Sequence, residues 1–193
     1  MASNCYYLVA QLPYLIYGQN IPMSSEAFKS LAREHLSPRD AAVLDCCTLD
    51  PDPCTDDETG AAYAKPARKT PSPLVNNWKK WERALRLNLA RGRALKLKRE
   101  GGAPVEAPEN PADAAATAKT ALLMESPLEA ELYLDKVRWD LIESFQSMNI
   151  FNISTVYAYL LKLQLMERRA AFNAEEGYAE YKGLYAAILG EEK

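Results

Sequence analysis

The sequence predicts an all-α protein of six or seven helices. Apolar residues recur at spacings of three and four along several segments, which is the period of a helix buried on one face. Serine precedes proline or glutamate at the start of three such segments, as is typical of helix N-termini. No segment alternates apolar and polar residues for long enough to indicate a β-sheet.

Residues 1–49 form the predicted N-terminal helical segment. The run Tyr6–Pro13 is compatible with an extended segment or with a first helical turn that Pro13 interrupts. Ser24 caps a predicted amphipathic helix that carries Phe28, Leu31, Ala32 and Leu36. The pair Ser37-Pro38 begins another helix, which ends before Pro51.

Residues 50–72 are rich in Asp, Pro, Thr and Ser and predict a linker or a long surface loop. Residues 73–193 form the predicted C-terminal helical domain, which we expect to share one core with residues 1–49. It begins with a long helix from about Pro73 to Glu100, whose apolar stripe is Leu74, Trp78, Trp81, Leu85 and Leu89. A second Pro-rich linker, 101–111, follows it.

The C-terminal third is predicted to be wholly helical. The segments are 112–124, 127–148, 153–172 and 174–189, and the third should be the central buried helix because it is apolar nearly all round at its start. The second is expected to face inward with Leu134, Val137, Leu141 and Phe145. Its acidic residues Glu129, Asp140 and Glu143 should face water.

A net charge of −3 conceals a strong separation of charge along the chain. Residues 73–100 hold nine basic and two acidic residues, whereas residues 101–148 hold three basic and nine acidic. The basic residues of the long helix lie mainly opposite or beside its tryptophans, which predicts a partner-binding face. Its members are Lys79, Lys80, Arg83, Arg86, Arg93 and Lys96.

Three roles for this basic face remain open. It can pair with the acidic helix 127–148 inside the same fold, or bind an acidic surface on a partner protein. It can also contact nucleic acid as part of a helical binding or regulatory module over residues 79–99. Against that third role, Trp78 and Trp81 share the apolar face, and the pI near 5.4 is acidic.

The sequence predicts no enzyme: no catalytic residue, cofactor site or metal site is expected. A single histidine, His35, leaves little material for dyads or multi-histidine sites. The phosphate-binding, zinc-protease and hydrolase motifs do not occur. Cys46, Cys47 and Cys54 lack the CxxC pairs of zinc sites, so reduced structural thiols are expected. Glu167 is expected to pair with neighbouring Arg168 or Lys162.

The predicted location is cytoplasmic, without membrane insertion. The N-terminus has no positively charged region, and Gln11 and Pro13 break its apolar stretch, so it does not resemble a signal peptide. No window of about 18 apolar residues occurs that would predict a transmembrane helix.

Two resemblances suggest a biological setting. The segment Tyr6-Tyr-Leu-Val-Ala-Gln-Leu-Pro13, with Ser24-Ser-Glu-Ala-Phe28 and Leu36-Ser-Pro38, resembles a small family of proteins encoded beside bacterial V-type ATPase subunits. The segment Phe151-Asn-Ile-Ser-Thr-Val-Tyr-Ala-Tyr-Leu-Leu161, with Arg168, resembles the closing helix of the V-type ATPase C/d subunit.

The C/d resemblance implies a reduced helical assembly. C/d subunits are longer and contain three similar helical units, whereas this chain is long enough for about one and a half. The resemblances imply a non-catalytic subunit or accessory factor of a proton- or sodium-translocating ATPase. Its expected partners are the rotor, the central stalk or the membrane ring, which would bring it to the inner membrane peripherally.

Overall fold

The computed structural model describes residues 5–50, 69–96, 112–146 and 148–172, together with residue 182. Within these ranges the chain is all-α, which confirms the predicted fold class. The helices that these ranges contain are α1 (Tyr6–Gln11), α2 (Ser25–His35), α3 (Pro38–Asp45), α4 (Pro73–Lys96), α5 (Ala112–Leu123), α6 (Pro127–Ser144) and α7 (Ile153–Ala170).

The helix boundaries follow the predicted caps closely. Ser24, Ser37 and Ser126 each accept a backbone N–H bond at the start of a helix, from Ala27, Asp40 and Glu129 respectively. The run Tyr6–Pro13 forms the helical turn of α1, and the chain becomes extended at Leu12. Helix α6 ends at Ser144, four residues before the predicted Met148.

Several predictions fall on residues outside the described ranges. They are most of the linker 50–72, the end of the long helix beyond Lys96, nearly all of the second linker 101–111, and the last helix 174–189 apart from Lys182. Cys54 and the acidic run 56–58 also lie there.

Helix α7 is the buried centre of the fold, as its apolar composition predicts. Its residues Val156–Leu163 are buried on every side, in one apolar cluster with residues of α1, α2, α3, α6 and the start of α4. Two polar side chains of α7 bond to backbone carbonyls of other segments: Tyr159 donates its hydroxyl to Pro13 O at 2.9 Å, and Gln164 donates its amide to Cys47 O at 2.9 Å. Burial raises the pKa of Tyr159 to about 12.

A second apolar cluster joins the later part of α4 to α5 and α6. Trp81, Leu85 and Leu89 pack there against the alanines of α5 and against Leu134. Trp78, one turn earlier, belongs to the main cluster, and its ring stacks on Trp81 with centroids 6.4 Å apart. Helix α4 therefore connects the two clusters through its tryptophan pair.

Gly92 allows α4 and α5 to approach closely. A Cβ at this position would clash with the Cδ1 atom of Leu122, at the end of a side chain of α5. Gly92 therefore leaves room for the Leu122 side chain where α4 and α5 meet.

The predicted inward face of α6 is only partly correct. Leu134 is buried, but Val137, Leu141 and Phe145 are partly exposed. The other buried residues of α6 are Asp135, Arg138, Trp139 and Ile142. The buried face is displaced toward two charged residues because these meet charged partners on α4 and α7. Glu129, Asp140 and Glu143 are exposed, as predicted.

Glu167 does not pair with Arg168 or Lys162 as expected. Its Oε1 atom accepts a 2.6 Å hydrogen bond from the backbone N–H of Ser25, in the first turn of α2. Arg168 and Lys162 bind Glu131 and Glu143 of α6 instead. The carboxylate of Glu167 therefore supplements the Ser24 cap and complements the positive end of the α2 dipole.

Candidate functional site

The six predicted partner-binding residues of α4 do not share one exposed face. Lys79 is only 1% exposed, so its place on a free basic face is corrected. Lys80 is exposed on the side of α4 opposite Glu82, and Arg83 is half-buried. Arg93 and Lys96 are exposed near the C-terminal end of the helix, where Lys96 donates to the Leu122 carbonyl oxygen.

Arg86 is held by the fold rather than presented to solvent. Its Nε donates to Glu82 Oε1 at 2.9 Å, and its Nη2 donates to Asp50 Oδ1 at 2.5 Å and to Leu49 O at 3.2 Å. Arg93 differs, since it makes no hydrogen bond or ion pair with the described part of the chain. Arg86 is therefore paired within the fold, whereas Arg93, seven residues later on the same helix, is exposed and unpaired within the described residues.

A buried ion-pair cluster lies between α4 and α6. Arg138 donates two hydrogen bonds to the Glu82 carboxylate, from Nε to Oε2 and from Nη2 to Oε1, both 3.0 Å long. Its Nη1 donates to Asp135 Oδ1, also at 3.0 Å. All three side chains are at most 5% exposed. The two-point geometry matches the fork of a guanidinium to a carboxylate.

The ion pair between α4 and α6 has the opposite arrangement of charges from the one considered for the basic face: the anion is on α4 and the cation is on α6. Pairing with the acidic helix α6 is one of the three roles left open for the basic face; in the ion pair that joins the described parts of the two helices, α4 supplies the carboxylate of Glu82 and α6 supplies the guanidinium of Arg138. Two acidic residues of α6 contact α7 instead: Arg168 Nη2 lies 2.6 Å from Glu131, and Arg168 Nη1 lies 3.7 Å from Asp135.

Burial perturbs the acid–base behaviour of the cluster. Desolvation raises the pKa of Asp135 despite the neighbouring Arg168 and Arg138, and its Oδ2 atom has no hydrogen-bond partner within the described residues. Desolvation alone would lower the pKa of Arg138, but the carboxylates of Glu82 and Asp135 outweigh it, so that pKa is raised. Arg138 therefore stays charged.

A cavity of about 580 Å³ opens beside the cluster. The segment after α3, together with α4, α6 and α7, contributes its walls. Four arginines line it, accompanied by two carboxylates and by an apolar wall. The lining residues are Leu49, Asp50, Arg86, Leu89, Ala90, Arg93, Glu131, Leu134, Arg138 and Arg168. The volume is within the usual range for ligand-binding clefts, roughly 300–1,000 Å³.

The residues of this pocket were largely missed by sequence reasoning. Only Arg86 and Arg93 belonged to the predicted set. One signal was available: Glu82 lies four residues after Trp78 and three before Leu85, so a carboxylate interrupts the apolar stripe of α4. A charge in such a position requires a buried partner, although the sequence does not identify Arg138 as that partner.

A second surface feature lies at the beginning of α1. Tyr6 and Tyr7 are largely exposed, and Tyr6 packs on Phe151 with ring centroids 4.7 Å apart. Met148 and Ile150, in the loop before α7, are also exposed.

Within the described residues, no group of histidine, cysteine and acidic side chains is arranged to hold a metal ion. In the same ranges no helix combines the length and apolar character that crossing a bilayer requires. Comparison of the chain with protein-family models, with curated proteins and with solved structures gave no match.

Proposed function

We propose that this protein is a non-catalytic subunit or accessory factor of a bacterial V-type ATPase that acts through protein–protein contact at the central stalk. Two features support the ATPase setting: the resemblance of the segments around Tyr6–Pro13 and Phe151–Leu161, and the all-α architecture expected of a reduced C/d-like protein. ATP hydrolysis would belong to other subunits of the complex.

The observation that carries a contact role is the unpaired end of α4. Arg93 is exposed, lines the arginine-lined pocket and has no partner within the described ranges, whereas the two lining carboxylates, Asp50 and Glu131, bond to other arginines. The fold therefore leaves a cation available next to a concave surface. Electrostatic complementarity of this kind guides association and fixes the orientation of partners.

The structure does not favour the nucleic-acid alternative for residues 79–99. Trp78 and Trp81 are buried in the core and cannot stack on bases, and Lys79 is buried as well. The remaining cations of α4 lie on different sides of the helix, whereas a phosphate backbone would require a continuous basic strip.

Co-purification tests the proposal directly. The tagged chain is expressed in the organism that encodes it, membranes are solubilised gently, and the recovered proteins are identified by mass spectrometry. We expect ATPase stalk and catalytic subunits in the eluate, with recovery reduced in Arg93→Glu. Lys119→Glu is the matched control, because Lys119 is exposed on α5 and makes no ion pair in the described ranges. Absence of every ATPase subunit from the wild-type eluate would refute the proposal.

A further inference from the structure

The arginine-lined pocket has the chemistry of a carboxylate receptor. We infer that it accepts a glutamate side chain from an acidic segment of a partner protein, an inference that rests on the proposed function and specifies the partner's chemistry. The pocket lies between Arg93 at the open side and Arg138 at the buried side.

The charge balance of the walls favours an anion. Among the described lining residues, Arg86, Arg138 and Arg168 are each paired with carboxylates of the fold, so the cation of the lining that the fold does not pair is Arg93. Arg138 and Arg168 are already oriented by their ion pairs with α6, which reduces the entropy lost when a ligand binds. Arg93, whose donors are not used by the described residues, supplies the direct contact.

One of the two lining carboxylates is easily displaced. Asp50 is 75% exposed where it contacts Arg86, and a pair this exposed contributes little stability. An incoming carboxylate can replace Asp50 on Arg86 without disturbing Glu82, which binds Arg86 from the buried side. The ligand would then lie between Arg86 and Arg93, which are two helical turns apart on the same side of α4.

The apolar wall distinguishes a glutamate from a compact inorganic anion. Leu49, Leu89, Ala90 and Leu134 line the cavity together with the arginines. A glutamate buries its methylene groups against such a wall while its carboxylate meets the guanidinium groups, whereas phosphate has no apolar surface to bury. Mixed walls of this kind, with a few oriented polar groups, are usual in ligand sites.

Titration calorimetry at low salt tests the inference. The probes are a blocked glutamate-rich hexapeptide, the same peptide with glutamine at each glutamate, free glutarate and inorganic phosphate. The protein is the full chain as wild type, Arg93→Gln and Arg91→Gln. Arg91 is the control because it is exposed on the same helix, two residues away, but does not line the pocket.

We expect the glutamate peptide to bind and the glutamine peptide not to bind. Arg93→Gln should weaken binding by about tenfold or more, as expected for loss of a charge-assisted hydrogen bond, and Arg91→Gln should leave it within about twofold. Weaker binding of glutarate than of the peptide identifies a protein segment as the ligand.

Four results would overturn the inference: no binding of the glutamate peptide, equal binding of the glutamine peptide, equal losses in both variants, or tighter binding of phosphate or glutarate than of the peptide. These outcomes are separable from failure of the proposed function. Recovery of ATPase subunits without peptide binding removes only the pocket, and Arg93-dependent peptide binding without ATPase recovery removes only the ATPase assignment.

Discussion

The ion pair between Glu82 and Arg138 should be the most sensitive electrostatic contact that the described residues make. We expect Glu82→Gln to lower the free energy of unfolding by about 3 kcal/mol, the lower end of the 3–5 kcal/mol typical when one partner of a buried pair is removed. The lower end applies because Arg138 keeps its 3.0 Å bond to Asp135 and is therefore not left without a counter-charge.

Urea unfolding followed by tryptophan fluorescence measures this change. With a slope of about 2 kcal/mol per molar urea, a loss of about 3 kcal/mol moves the midpoint down by about 1.5 M. The same loss corresponds to a fall in Tm of about 6–12 °C for a chain of this size. Both shifts are well outside experimental error.

The matched control is an exposed pair of the same chemistry. Arg33 Nη2 lies 2.6 Å from Asp45 Oδ1, closer than the buried pair, but both side chains are about half exposed. We therefore expect Asp45→Asn to cost at most about 1 kcal/mol. If Glu82→Gln costs no more than Asp45→Asn, burial does not strengthen the pair and the reasoning is wrong. A double-mutant cycle with Arg138→Gln should give a coupling of at least about 1 kcal/mol.

Three further predictions concern the arginines of α4, the Asp135 carboxyl and the buried thiols. Arg86→Glu should lower the free energy of unfolding by about 2 kcal/mol because it places a carboxylate beside Glu82 and Asp50. Arg93→Glu should change it by less than about 0.5 kcal/mol. Equal melting temperatures of the two variants would contradict this difference between Arg86 and Arg93. Because burial raises the pKa of Asp135 above its ordinary 3.8, this carboxyl binds a proton more tightly in the folded state than in the unfolded state. The stability of wild type relative to Asp135→Asn should therefore be greatest below about pH 4 and decline as the pH rises through the folded-state pKa. Urea unfolding of both proteins at several pH values measures this difference, and the absence of a decline would refute the prediction. Burial also raises the thiol pKa of Cys47 and Cys5, so both should react with iodoacetamide far more slowly in the native protein than in urea, which peptide mapping by mass spectrometry can measure against half-buried Cys46.

The fold was accessible from the sequence because its determinants are local. Ser24, Ser37 and Ser126 cap their helices through contacts within three residues. The spacing of apolar residues on α4 and the apolar composition of α7 identify faces that are in fact buried. Local signals of this kind do not depend on knowing which helices become neighbours.

The pocket was not accessible, because non-local pairs create it. Arg138 is 56 residues from Glu82, and the spacing of apolar residues on each helix does not indicate that the two side chains pair. The same spacing placed Val137 and Phe145 inward on α6, whereas pairing with α4 and α7 turns Asp135 and Arg138 inward instead. Buried charges follow their partners, and the sequence alone does not name those partners.

The first helices of the chain pack against its last described helix, as the bond from the Ser25 N–H to Glu167 shows, and this order affects folding during synthesis. Helices α1 to α3 leave the ribosome early, but the helix that covers them, α7, begins at Ile153, roughly 110 residues after α3 ends at Asp45. At a synthesis rate of about 5–20 residues per second, roughly 5–20 s pass between the synthesis of α3 and the start of α7. During this time Phe28 and Leu44 lack the apolar residues of α7 that bury them in the folded protein. During translation the first helices therefore depend on late synthesis, and slow translation would prolong their exposure to chaperones and proteases.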